Sequence, residues 1–166
     1  MPESQAKFRF WWFFFSLAGR LARKPFIAFA LPMKLIAIAI LLVRYAGVSL
    51  TPLVSLTLVI FQLAFAWPQY AVTIKRLHDV GRSALFALHI PIYLVVWVCY
   101  LVFFNYVSRT QPFNFLPYVI YNFTQYACLL YSFILFLVLA IIPGTQGRNR
   151  YGPHPHRPDQ SASEVF

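Results

Sequence analysis

Four long apolar runs dominate the chain, at about 26–45, 50–74, 83–104 and 117–142, and short polar clusters separate them. A bilayer core of about 30 Å needs roughly 20 apolar residues when crossed as a helix, so each run is long enough. The runs are continuous and lack the alternation of barrel strands. A helix then remains the form in which a backbone in lipid satisfies its own hydrogen bonds. Pro52 and Pro117 fall near predicted helix starts, where a missing N–H does no harm. Pro68 and Pro91 lie deeper and predict kinks in the second and third spans.

Ahead of the first span stands Phe8-Arg9-Phe10-Trp11-Trp12-Phe13-Phe14-Phe15. Its apolar part is too short to cross. Aromatic rings flanked by arginine suit the headgroup level and predict a helix lying in the interface; packing beneath the bundle is the alternative. The expected organisation is an interfacial aromatic-basic segment at 1–25, a four-span domain at 26–142 and a polar tail at 143–166. From Pro153 onward the tail is rich in proline and polar residues, a composition that predicts disorder. The fold class is therefore all-α: an integral membrane four-helix bundle with an N-terminal interfacial aromatic helix.

Composition sharpens this. The chain is 60% hydrophobic and 11% charged, against about 45–50% and 25% for soluble domains. Its net charge of +10 would suggest nucleic acid in a soluble protein. In a membrane protein it reports orientation, because cytoplasmic loops collect Lys and Arg. Eleven basic residues precede the first span, sit between the second and third, or follow the fourth. Two, Arg44 and Arg109, lie on the other side, and Lys34 falls within the first span. Both termini and the middle loop are thus expected in the cytoplasm, with membrane lipids and not nucleic acid as partners. A homo-oligomer or a membrane-protein partner stays open.

The densest polar cluster is Lys75-Arg76-Leu77-His78-Asp79-Val80-Gly81-Arg82-Ser83, and Asp79 is the one acidic residue between Glu3 and Asp159. Gly81 suits the left-handed turn that ends a helix, and Ser83 suits an N-cap for the next. Two further clusters are Gly19-Arg20-Leu21-Ala22-Arg23-Lys24-Pro25-Phe26 and Pro143-Gly144-Thr145-Gln146-Gly147-Arg148-Asn149-Arg150-Tyr151-Gly152-Pro153. In order and placement the three resemble the motifs of the DUF805 family, small bacterial inner-membrane proteins of unknown function. The resemblance covers nearly the whole chain. It departs at Ala84-Leu85-Phe86, where the family continues with Gly and paired Trp, and at Lys75, where Arg is common. It implies a bacterial inner-membrane location and no known activity.

Under this orientation all three clusters reach one membrane face. They bring together Arg20, Arg23, Arg76, Arg82, Arg148 and Arg150 with Asp79 and His78 as the candidate site. One carboxylate cannot neutralise six guanidiniums. Asp79 can act as a structural clamp on one or two of them. The excess suits phosphate, which arginine forks bind bidentately, so the cluster reads either as structure or as a site for anionic lipid headgroups or a small anion.

A transporter subunit is the alternative, resting on Lys34, Gln62, His89, Asn122 and Gln125 at membrane depth. Lys34 has a stem long enough to snorkel to the charged face. The absence of acidic residues from the spans argues against proton-coupled or cation-coupled transport. A scaffold that docks other proteins is a further alternative. No enzyme is expected: His78 and Asp79 are adjacent on a helix and point about 100° apart, and no catalytic or phosphate-loop motif is present. No cofactor and no metal site are expected, since His154 and His156 alone make a weak pair. Cys99 and Cys128 read as small buried apolar residues.

Overall fold

The computed structural model describes residues 10–46, 51–107, 115–153 and 155. The chain is helical: α1 Phe10–Phe15, α2 Arg23–Tyr45, α3 Pro52–Asp79, a 3₁₀ turn at Ala84–Ala87, α4 His89–Val107 and α5 Phe115–Ile141. Among the described residues three helices are long and apolar enough to cross a membrane, along Arg23–Val43, Thr57–Asp79 and Val119–Ile141. The 3₁₀ turn and α4 form a further apolar segment packed on α3 and α5, which completes the bundle. The expectations for the tail beyond Pro153, His154 and His156 among them, and for the start of the chain before Phe10 lie outside the described residues.

Local sequence explains the ends of the elements. Thr51 caps α3, its Oγ1 accepting from Val54 N at 3.4 Å, with Pro52 at the first helical position. At 28 residues and about 1.5 Å per residue, α3 is roughly 42 Å long. It therefore outreaches a hydrocarbon core of about 30 Å and carries Lys75–Asp79 to one membrane face. Gly81 turns the chain at φ 77°, a conformation that side chains with a Cβ resist. Ser83 Oγ accepts from Leu85 N and caps the 3₁₀ turn.

Pro91 does not kink a span. The α-helix starts only at His89, so Pro91 stands in its first turn, where no intrahelical N–H bond is due. Pro68 lies inside α3, and Pro32 lies inside α2.

Packing is tightest at the charged end. Phe26 and Ala30 of α2, Val72, Ile74 and Leu77 of α3, Ala87, and Phe136 and Leu139 of α5 form the core, with Phe13 of α1 joined to it. Phe26 and Phe136 pack with tilted rings, their centroids 5.9 Å apart. α1 packs on α3 and leaves Phe10, Trp11 and Phe15 exposed. Around the bundle, Leu42, Ile60, Leu63, Ile92, Val95, Ile120, Phe123, Leu130, Ile134 and Ile141 face outward. Such an apolar surface is far beyond the patches that soluble monomers expose, and it is what lipid contact requires.

Tyr121 of α5 is turned inward and buried. Two side chains differ from expectation. Cys99 is exposed and Cys128 half-buried, not core residues, and both are free thiols. Their helix faces, which continuous apolar runs do not reveal, decide this.

Candidate functional site

The C-terminal end of α3 presents three charged side chains to different neighbours. Lys75, Arg76 and Asp79 are all buried, as is Arg20 from the segment between α1 and α2. Arg76 is 0% exposed, Asp79 2% and Arg20 4%, so their charges must be balanced by protein atoms.

Asp79 lies between two guanidiniums. Its Oδ1 accepts from Arg20 Nε at 3.1 Å and faces Arg20 Nη2 at 3.0 Å, while Oδ2 is paired with Arg76 Nη1. Arg20 then spends its other donors on the segment after α5. Nη1 donates to the carbonyls of Gly147 at 2.6 Å and Gly152 at 3.3 Å. Nη2 donates to Thr145 O at 2.5 Å and Thr145 Oγ1 at 3.1 Å. A guanidinium has five N–H donors, and all five are used.

Arg76 reaches the end of α5. Nε donates to Leu139 O at 3.0 Å and Nη2 to Ile142 O at 2.5 Å. The last carbonyls of a helix have no intrahelical partner and carry partial negative charge. The terminus of α5 therefore supplies the compensation that a single carboxylate cannot give to two arginines. Lys75 does the same for α1: Nζ donates to Trp12 O and Phe13 O, each at 2.5 Å, and lies 4.5 Å from the Trp12 ring centroid.

The segment 143–152 closes over the site. Thr145 N and Oγ1 both donate to Asp79 O, at 2.8 and 3.0 Å. Asn149 Nδ2 donates to His78 O at 2.9 Å and Thr145 Oγ1 at 2.8 Å. Gly144 passes so close to the carboxylate that an added Cβ would strike Asp79 Oδ2, with Cγ at 2.7 Å and Oδ1 at 2.9 Å. His78 turns away from Asp79: its Nδ1 lies 3.2 Å from Gly19 O, and its ring stacks on Tyr151 at 3.8 Å with a 9° interplanar angle. Arg150 lies on the Tyr151 ring at 4.7 Å.

Of the eight candidate residues, Arg20, Arg76 and Asp79 form one buried clamp, and His78 sits at its edge. Arg23, Arg82, Arg148 and Arg150 are exposed, as is Lys24. They stand within a few residues of the clamp on each of the three segments it joins. Gly144, Thr145, Asn149 and Tyr151 also join the site, though none of them stands out individually in the sequence. Their signal was their place in the third cluster, which the clamp draws onto the second. Among the described residues no three His, Cys, Asp or Glu side chains gather as a metal site would need.

The fold and the clamp define a multi-pass helical membrane protein, locked at one end by buried ion pairs. The chain belongs to the DUF805 family, described as a protein of unknown function; the family model matches residues 9–153 and so takes in all three segments of the clamp. No curated protein and no solved structure matches the chain.

Proposed function

We propose that the protein engages anionic lipid headgroups at its charged end, in the plasma membrane of a bacterium, with both termini in the cytoplasm. The observation that carries this is the division among the cations. Asp79, the acceptors of the 145–152 segment and the helix termini satisfy Arg20, Arg76 and Lys75, whereas Arg23, Lys24, Arg82, Arg148 and Arg150 remain exposed with no acid in the clusters left to pair with them. Basic side chains close to an anionic leaflet gain about 1 kcal/mol each, and arginine forks suit phosphate. The protein is read as a binding protein without catalysis of its own.

Native mass spectrometry of detergent-purified protein tests this. Wild type is expected to carry phosphatidylglycerol or cardiolipin in preference to phosphatidylethanolamine. The triple variant Arg82→Gln, Arg148→Gln, Arg150→Gln is expected to lose that preference while still folding, since none of the three is in the clamp. Equal lipid retention by the two proteins refutes the reading. A C-terminal reporter fusion active only in the periplasm refutes the orientation.

A further inference from the structure

The bundle interior holds a second polar group, separate from the clamp and independent of the lipid-headgroup reading. Lys34 lies about 16 Å along α2 from Arg23 by helix rise. It does not snorkel to the surface. It is 7% exposed, and Nζ donates to Ser132 Oγ of α5 at 2.5 Å. That is its one hydrogen bond among the described residues, and an ammonium has three donors. No acidic residue lies in α2, α4 or α5, and Asp79 of α3 is committed to the clamp.

His89 adds a complementary defect. Its Nδ1 lies 3.2 Å from Phe86 O, which makes Nδ1 the donor and leaves Nε2 an acceptor. Tyr131 holds the ring, edge-on at 4.8 Å, and its OH donates to the same carbonyl. Nε2 is buried and has no hydrogen-bond partner among the described residues. Lys34 and His89 both line a cavity of about 160 Å³ between the helices, together with Gln62, Gln125, Phe61 and Trp97. A small void of about 10 Å³ also touches Lys34, His89 and Ser132, room for about one water.

We propose that this cavity binds a monocarboxylic acid with an apolar body. One ammonium matches one carboxylate. A dianionic phosphate would bring a second, unbalanced charge into a region where desolvation is severe. The carboxyl oxygens accept from the unused hydrogens of Lys34, and in the acid form the O–H serves His89 Nε2. The apolar body rests against Phe61 and Trp97. The volume resembles the roughly 150 Å³ that admits a benzene-sized molecule, so it takes a small aromatic acid or the first carbons of a fatty acid. The first would arrive from water and the second from the membrane.

Equilibrium binding to the full chain in nanodiscs of zwitterionic lipid tests this, using radiolabelled dodecanoate, dodecanol, benzoate and benzyl alcohol. At least one acid is expected to bind saturably, one per chain. Its alcohol should bind about ten-fold to a hundred-fold more weakly, the effect of losing a charged hydrogen bond. Dodecanoate alone would identify the membrane as the source, and benzoate alone the aqueous phase. Lys34→Met is expected to weaken acid binding by a similar factor, and Thr57→Ala, exposed on α3 outside the cavity lining, to leave it unchanged. Saturable binding of neither acid, or alcohols that bind as tightly as acids, overturns the proposal on the wild-type protein alone. So does full-strength acid binding by a folded Lys34→Met variant.

Discussion

Replacing Asp79 by Asn keeps the side chain's shape and removes its charge. Two guanidiniums, 4% and 0% exposed, then lose their shared counter-ion. The new amide also turns an N–H toward one of them, so a donor meets a donor. Removing one member of a buried ion pair costs about 3–5 kcal/mol, whereas an exposed pair contributes about 0–1 kcal/mol. For a chain of this size, 1 kcal/mol shifts the melting temperature by about 2–4 °C. Asp79→Asn is therefore expected to lower the melting temperature by roughly 6–20 °C. Size-exclusion recovery after a heating series in one detergent measures this directly. A fall of less than about 4 °C, the range of an exposed pair, would refute the claim that the clamp is desolvated and holds the three segments together.

Gly144→Ala is expected to reproduce most of that loss, because the new methyl strikes a carboxylate pinned by two arginines. Combined with Asp79→Asn, it should add much less than its own single effect, as residues in one network do; full additivity in melting would refute the contact. Lys75→Met should cost about 2 kcal/mol from lost charged hydrogen bonds and release α1, seen as faster chymotrypsin cleavage at Phe10–Phe15 with the bundle intact; unchanged cleavage refutes this anchor. Tyr151→Ala removes the stack on His78 and should cost about 0.5–1.5 kcal/mol. Tyr151→Phe keeps the stack and should melt with wild type, so equal losses in the two variants would show that the hydroxyl matters instead.

The helices and the three clusters were legible in the sequence because apolar length and charge punctuation are one-dimensional signals. The turn at Gly81 and the cap at Ser83 were legible for the same reason: a few adjacent residues determine them. The choice of partners was not. Arg20 and Arg23 look equivalent on paper, yet Arg20 is buried on Asp79 and Arg23 faces outward, a difference set by where the chain enters α2. Gly144 reads as a turn residue, but its role is steric and depends on a carboxylate 65 positions earlier in the chain. Lys34 could be placed at membrane depth by counting. That it bonds Ser132 instead of snorkelling depends on the rotation of α2 against α5.

The clamp also imposes an order on assembly. Arg20 and Asp79 leave the ribosome early, yet three of the atoms that satisfy Arg20 belong to Thr145 and Gly147, and one more to Gly152. Until α5 has been inserted and the chain beyond Pro143 has emerged, the arginines have no full set of acceptors. The nascent bundle stays open at that end until then. A chain interrupted before Thr145 would leave the buried Arg20 guanidinium without the four acceptors that Thr145, Gly147 and Gly152 supply. The last few residues of the matched region thus seal the first, and a finished molecule differs from an unfinished one by a single buried carboxylate with its partners in place.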